Sequence, residues 1–470
     1  MPTLVKLAGF DFGSTTCSAV LATAQLRAER PGGRRELGAV TPTYRSELVF
    51  TPFVGESIDL EKVERLLDGW LHAGAAQPAE LFGGGALITG LCAEKANAAR
   101  LAELVRGRLG DAVIAAADDP SLESFVAFVG SASALSQEQP DTPILSLDIG
   151  GGTTNLALGL DGEVRRTGCL RVGARHLRFH RGTYELCGYS PLGRQLLSHL
   201  GIAKRPGSAL TPGEVAAVLD TYVELLTAAC TGHRAALDTP LGRCFEAVPL
   251  PLPAGLPPPT LVLAGGVGAL IAARRNGGSP LPPTDYGDLG GELAERILGS
   301  PLMHGPVVTP VHAGRATVLG LLTGCTQVSG SSVFLPRPDA LPLRDLPILG
   351  TIAPHRSTAE LHDALRLVRN SPRGAALRVT MTPADPATLR AFGARVQEVL
   401  QTLAFPPEKP IVLLLEQNLG KALGGYITGW QAPTVNLLVL DELKLPAGRF
   451  VQLGRPHDQA IPVSFYGLQQ

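Results

Sequence analysis

Ile144-Leu-Ser-Leu-Asp148-Ile-Gly150-Gly151-Gly152-Thr153-Thr154-Asn155 is the stretch that decides the fold. An apolar run breaks at an acidic residue, three glycines follow, and Leu156-Ala-Leu-Gly159 resumes the run, the pattern of a β-hairpin whose turn carries no side chains. Without Cβ atoms, successive peptide N–H groups can face one concavity and hold a phosphate, and Thr153 and Thr154 add hydroxyl donors. A carboxylate at Asp148 would repel that phosphate unless a cation stood between them, which points to Mg²⁺ held through its waters. The plain alternative for this motif alone is an Asp-Gly turn on a half-buried sheet.

The pattern occurs twice. Leu7-Ala-Gly-Phe-Asp11-Phe-Gly13-Ser14-Thr15-Thr16 has the same order of apolar strand, Asp, apolar residue, Gly and hydroxyl residues, and the strand-like Ser18-Ala-Val-Leu21 follows. Two phosphate loops imply two lobes. A third element, Leu261-Val-Leu-Ala-Gly265-Gly266-Val-Gly268, runs from an apolar strand through a Gly-Gly turn into the helical pattern Ala269-Leu-Ile-Ala-Ala-Arg. This order resembles the actin, sugar kinase and heat-shock-protein-70 ATPase superfamily. The resemblance implies an α/β, two-lobed actin-like (ribonuclease H-like) ATPase fold in which the two hairpins clasp the phosphates of ATP. It also implies that Gly265 and Gly266 lie against the adenosine. A Walker loop is excluded because no Gly-Lys-Ser/Thr occurs, and a Rossmann fingerprint because spacing and flanking elements differ.

Composition bounds the remainder. A chain of 470 residues suggests about three domains, and 45% hydrophobic with 18% charged residues is ordinary for a globular chain with ample core. A net charge of −1 provides no global field for nucleic acid. Seven scattered cysteines with no Cys-x-x-Cys pair read as reduced and buried in a cytosol. No leader pattern and no run of roughly 18 apolar residues stands in the sequence, so the chain is expected in the cytoplasm, neither exported nor membrane-embedded.

In order, three units are expected: 1–140 with the first phosphate loop, 141–340 with the second loop and the adenosine motif, and a C-terminal α/β unit at 341–470. Asp59 precedes a helix with Leu60, Val63, Leu66, Leu67, Trp70 and Leu71 on one face, and Thr211-Pro-Gly-Glu214 is a capping box. The arginine-rich run 27–35 fits a solvated loop, or contact with an acidic partner. Leu122-Glu123-Ser-Phe-Val-Ala-Phe-Val-Gly130 reads as a helix placed just before the second lobe, after Asp118-Asp-Pro120. His176 and His180 have i, i+4 spacing but no carboxylate or Cys nearby, which speaks against metal ligation. In the last unit, strands, helices and the segment Glu416-Gln417-Asn418 to Lys421 alternate, with 450–453 and 461–466 expected as edge strands. The 416–421 cluster sits after a strand end, where an α/β sheet commonly places working groups, and turn and cap roles explain it equally well.

The whole chain resembles one family within the superfamily, the reactivating factors of ethanolamine ammonia-lyase, an adenosylcobalamin enzyme. Its most specific parts are Ser146-Leu-Asp148 to Asn155, Arg315-Ala-Thr-Val318 with Ser329-Gly330-Ser331, Leu413-Leu-Leu-Glu416-Gln-Asn-Leu-Gly420-Lys-Ala-Leu-Gly424, and Arg449-Phe-Val-Gln-Leu-Gly454-Arg-Pro456. One departure is Gly90-Leu91-Cys92, where Gly-Glu-Thr would be expected. The resemblance implies a molecular chaperone that uses ATP and Mg²⁺ to release damaged cobalamin from the lyase so that intact cofactor rebinds, in the cytoplasm, with association with a bacterial microcompartment and a homodimer both left open. It implies Asp11 and Asp148 on the Mg²⁺, and Glu123 as the residue that orients the attacking water. No Asp-x-His-x-x-Gly cobalamin motif occurs, so the chain should act on the lyase and not carry the vitamin through a His ligand. A small-molecule kinase or a filament-forming ATPase on the same fold stays open.

Overall fold

The computed structural model describes residues 3–28, 35–55, 57–93, 95–109, 114–117, 120–324, 326–445, 448–457 and 460–468. Asp118, Asp119, Val113, Cys325 and most of the 27–35 arginine run lie outside the described residues, as do the side chains of Gly90-Leu91.

The first sheet is built on a hairpin. Strands β1 (Thr3–Phe12) and β2 (Thr16–Ala28) pair antiparallel, β3 (Arg35–Leu37) pairs with the far side of β2, and β4 (Leu81–Ile88) and β5 (Ile114–Ala117) add in parallel beyond β1. The order in space is β3-β2-β1-β4-β5. The second sheet repeats this order with β6 (Ile144–Ile149), β7 (Thr154–Leu160), β8 (Glu163–Leu170), β9 (Thr260–Ala264) and β10 (Val307–Val308), arranged β8-β7-β6-β9-β10 with a short strand Glu246–Val248 beyond β8. Its directions repeat too: β6 is antiparallel to β7 and parallel to β9. The repeat seen in the sequence is thus a repeat of topology, and the fold is the expected two-lobed, actin-like α/β arrangement.

β6 is apolar along its length apart from Ser146 and Asp148 because both faces are covered, as parallel-type strands require. One face packs on the large core with Leu145 and Leu147, and the other on helix α1 (Pro120–Ser131), where Phe128 meets Ile144, Ala157 and Val262. Helix α2 (Gly265–Arg275) follows β9 directly. Helix α3 (Ala316–Gly324) lies on the first sheet, Val318 and Leu322 against Val5, Leu7 and Val20. α1 and α3 cross at backbone contact: a Cβ on Gly320 would stand 1.8 Å from the Val126 carbonyl oxygen. The covering helices of the two sheets therefore bear directly on each other.

Local signals from the sequence hold. Asp59 caps Leu60–Ala73 by accepting the Lys62 N–H, and Trp70 is buried against Phe10. Thr211 and Glu214 form the capping box of Pro212–Thr231. The cysteine expectation needs correction: Cys17, Cys92, Cys169 and Cys230 are buried and free, but Cys187 is exposed and Cys244 half-buried.

The third sheet runs, in space, Thr326–Val328, Pro462–Leu468, Gly448–Leu453, Leu343–Ile352, Ala375–Val379, Pro410–Leu415 and Asn436–Leu440. The last four are parallel, with helices Thr358–Asn370, Pro386–Thr402 and Gly420–Thr428 as crossovers. Neither Gly448–Leu453 nor Pro462–Leu468 is an edge, contrary to the expectation from sequence. Each pairs on both sides, because Thr326–Val328 arrives from α3 to cover the outer one. Pro462 is tolerated as the first residue of its strand, where its missing donor matters least. Among the described residues no helix is long and apolar enough to cross a membrane.

Candidate functional site

The two hairpin turns match. Phe12 pairs with Cys17 and Ile149 with Thr154, each pair enclosing four residues, and Gly13 N–H donates to Thr16 O at 3.0 Å as Gly150 N–H donates to Thr153 O at 2.8 Å. The turns meet face to face: a Cβ on Gly151 would lie 2.2 Å from Thr15 Oγ1. Gly151 is glycine because the opposite loop occupies that space.

The second loop is held by its carbonyls. Gly150 O accepts from Ala174 N–H at 3.2 Å, Gly151 O from Arg175 N–H at 2.6 Å, and Gly152 O from His176 Nε2 at 2.8 Å. In a trans peptide the N–H points opposite to the C=O. The amides of Gly151, Gly152 and Thr153 are therefore turned away from residues 174–176, the arrangement that a phosphate nest uses. A carbonyl can only accept, so Nε2 of His176 carries the proton and Nδ1 accepts from Ser190 Oγ at 2.7 Å. Burial lowers the His176 pKa and keeps the ring neutral. His176 is a clamp on the loop, with both ring nitrogens hydrogen-bonded.

Between the lobes lies a cavity of about 330 Å³. Asp11, Gly13, Ser14, Thr15 and Thr16 line it from the first lobe, Asp148, Gly150, Gly151, Gly152 and Thr153 from the second, Gly265 and Gly266 from α2, and Glu123 from α1. Of the residues picked out in the sequence only Thr154 is not brought in. It stands opposite Ile149 at the start of β7, as Cys17 stands opposite Phe12, and its hydroxyl is spent on Val172 O at 2.7 Å inside the core.

Three carboxyl groups converge here. Burial, then the neighbouring Asp148 charge, pushes Asp11 up to about 7 against the partial relief of a Thr89 hydrogen bond. Burial pushes Asp148 up to about 6, offset in part by Thr317, whose hydroxyl donates to Oδ2 at 3.1 Å. Glu123 is raised well above the usual carboxylate range by burial and by both aspartates, with hydrogen bonds to Asn155 and Thr89 acting the other way. Asp11 Oδ1 and Thr15 Oγ1 are buried without a hydrogen-bond partner. Such orphaned acceptors are costly, and a cation or a ligand hydroxyl or water would satisfy them. Among the described residues no three acidic, His or Cys side chains are close enough to hold an ion directly. The donor set thus fits a hydrated divalent cation, Mg²⁺ reached through its waters.

The two glycines of the third motif separate. Gly265 has φ +79, and a Cβ there would stand 2.5 Å from Asp148 Oδ1 and from Ile149 O, so glycine is required by the strand beside it. Gly266 faces open space with nothing within 4 Å. Leu48, Phe50, Leu270 and Tyr286 also line the cavity, with the Phe50 and Tyr286 ring centroids 6.5 Å apart. Sequence reasoning did not find Thr89, Asn155, Thr317, Tyr286 or Asp288, which also line the cavity. Asn155 and Thr317 lie inside the family-specific motifs, Thr89 lies at the end of the strand read at 83–90, and Tyr286 and Asp288 sit in a stretch without pattern.

The sequence model of the family described as "Ethanolamine utilisation protein EutA" matches residues 4–468. The chain is 32% identical to the ethanolamine ammonia-lyase reactivase EutA of Salmonella typhimurium, over 98% of its own length and 97% of that protein's, and 30% identical to the protein of the same name from Escherichia coli K12, with the same coverage. Among solved structures, an exopolyphosphatase from Cytophaga hutchinsonii superposes over 67% of this chain and 96% of its own at 12% identity and TM-score 0.39, too loosely to bear on the argument. With a family match over nearly every residue and two full-length relatives, the chain belongs to the EutA family of ethanolamine utilisation proteins.

Proposed function

We propose that this chain is an ATP-dependent reactivase of ethanolamine ammonia-lyase, using the cavity between its lobes to bind and hydrolyse the nucleotide. The observation that carries the nucleotide part is the convergence of Asp11, Asp148 and Glu123, from three separate elements, on two facing phosphate-type turns. The full-length relatives, both named as reactivases of the lyase, support the partner.

In this reading the amides of 151–153 and the hydroxyls of Ser14, Thr15 and Thr16 hold the phosphates, and Gly266 leaves room for the adenosine. Mg²⁺, when bound between Asp11 and Asp148, would supply the positive charge that offsets charge on the transferring phosphoryl group. Glu123 would orient the attacking water. The crossing of α1 and α3 offers a bearing on which nucleotide state could bias the lobes between open and closed arrangements of different affinity for the lyase. The outcome would be release of damaged cobalamin and entry of intact cofactor. Residues 1–140, 141–340 and 341–470 act as the three units of this machine, with the last as a family-specific addition, and the reading places its work in the cytoplasm.

The test is ATP hydrolysis measured with and without purified lyase, with small hydroxyl and carboxylate acceptors, and by sedimentation. A reactivase responds to the lyase. Phosphorylation of a small acceptor, or ATP-dependent pelleting with no response to the lyase, would replace this reading with a kinase or a filament.

A further inference from the structure

The third sheet carries a second group of converging oxygens, outside the nucleotide cavity. It lies at the C-terminal ends of the parallel strands Pro410–Leu415 and Asn436–Leu440, the end of an α/β sheet where ligands commonly bind. From the first strand the chain leaves as Glu416-Gln417-Asn418 and enters the helix Gly420–Thr428, and from the second it leaves as Asp441-Glu442. Residues 329–332 pass over both, with Gly330 N–H donating to Asp441 O at 2.9 Å.

Asp441 is 0% exposed. Its Oδ2 accepts from Gly420 N–H at 2.8 Å and from Ser332 Oγ at 2.5 Å, while its Oδ1 is buried with no partner. Gln417 Oε1 is buried and unpartnered as well. An acceptor left unmade in the interior costs free energy, and a carboxylate oxygen more than a neutral one. The Glu442 carboxylate comes to the same place: a Cβ on Gly330 would stand 2.3 Å from Asp441 Oδ1 and 2.4 Å from Glu442 Oε2, so these two oxygens lie within about 4.7 Å of each other. Glu442 Oε2 accepts from Ser331 N–H at 3.3 Å; with no ion pair to either carboxylate among the described residues, the two oxygens repel, and a cation between them would relieve that repulsion. Glu442 is held there at φ +55, a left-handed conformation that a non-glycine residue adopts at a cost. Ser332 Oγ, 2.6 Å from Asn418 Oδ1, brings further neutral oxygen to the group.

We propose that Asp441 and Glu442 bind a hard divalent cation of the Mg²⁺ or Ca²⁺ class beside Gly330, with the neutral oxygens of Ser332 and Asn418 nearby. Oxygen-only ligation with two carboxylates and a mixture of hydroxyl, amide and water oxygens is what such ions take, and sulfur- or imidazole-seeking metals find nothing here. The ion ties together segments 329–332, 416–420 and 441–442. These loops already meet through the Gly330, Gly420, Ser331 and Ser332 donors, and the ion would add a cross-link at the Asp441 carboxylate oxygen that those donors leave free.

The test uses the full chain without nucleotide, titrated with Mn²⁺ and followed by electron paramagnetic resonance, with thermal melting in Ca²⁺ as the second measurement. Asp148→Asn removes a charge from the nucleotide cavity, and Glu442→Gln, at a half-buried position, keeps the shape of the side chain. The expected result is a Mn²⁺ site that persists in Asp148→Asn and weakens at least tenfold in Glu442→Gln, with Ca²⁺ raising the melting midpoint of wild type and not of Glu442→Gln. Wild-type Mn²⁺ affinity in a folded Glu442→Gln, or complete loss of binding in Asp148→Asn, would overturn the proposal.

Discussion

Thr317 donates its hydroxyl to Asp148 Oδ2 at 3.1 Å, joining residues 169 positions apart in the chain. Thr317 rides on α3, which rests on the first sheet, and Asp148 ends a strand of the second. The carboxylate proposed to position the cation is thus held by a helix that packs on the first sheet. Asp148→Asn keeps an acceptor for Thr317 and removes the charge. Mg²⁺-dependent ATP hydrolysis should fall by more than about tenfold, the equivalent of 1.4 kcal/mol in barrier, and a rate within about twofold of wild type removes Asp148 from the cation site.

The raised carboxyls make a prediction about pH. Asp11 rises from 3.8 to about 7 and Asp148 from 3.8 to about 6 in the folded chain, so without cation the folded state holds protons that the unfolded state has released. Stability from this source is complete below about pH 4 and is lost as pH climbs through 6 to 7. A cation must displace those protons, so affinity for the Mg²⁺ nucleotide should rise over the same window. Melting midpoints at pH 5.5 and 8 check both signs: the cation-free protein should melt lower at pH 8, and MgATP should stabilise it more there. A nucleotide-free Asp148→Asn should melt higher than wild type at pH 8, since a buried charge has gone.

Gly265 and Gly266 should respond in opposite ways. Gly266→Val places its side chain in open cavity, so nucleotide affinity should drop at least tenfold while the melting midpoint of the free protein stays near wild type. Gly265→Val should lose stability, because Asp148 and the Ile149 backbone stand where its Cβ would go and φ +79 disfavours any side chain. Calorimetric titration with MgATP beside thermal melting separates the two, and unchanged affinity in Gly266→Val removes that residue from the adenosine side.

How much of this could be seen beforehand follows from how local each signal is. The two Asp-x-Gly turns were legible because a loop that must expose backbone amides must spend glycine and hydroxyl residues in sequence, and their duplication gave the two lobes. Thr154 was misplaced because composition does not tell a hydroxyl at the turn from one already on the buried side of the next strand; only the register with Ile149 does. Thr89 sits at the end of a strand recognised from the sequence, but nothing in that strand shows that its end reaches the cavity, and Tyr286 reaches it from a stretch with no repeating pattern. The strands at 448–453 and 462–468 read as edges because they end the chain, and only the pairing of Thr326–Val328 with Pro462–Leu468 shows that the edge lies elsewhere.

Glu123 stands in the first turn of α1, where the helix dipole favours an acid whatever its role. Its side chain lines the cavity beside both aspartates, which a mere helix-terminal acid has no need to do. Glu123→Gln should therefore lower turnover about tenfold or more while leaving MgATP affinity within about twofold, the signature of a group that acts in the transition state. Normal turnover, or loss of nucleotide binding, would leave Glu123 as a helix-terminal acid.

The central claim is that this cavity drives recovery of the lyase. The most direct measurement takes ethanolamine ammonia-lyase inactivated with damaged cobalamin in place, adds intact adenosylcobalamin, and follows the return of ethanolamine turnover with wild-type chain, Mg²⁺ and ATP, beside Asp148→Asn and beside a sample without nucleotide. Recovery is expected with wild type and ATP, and little or none in the other two. Equal recovery with Asp148→Asn, or without ATP, would contradict it.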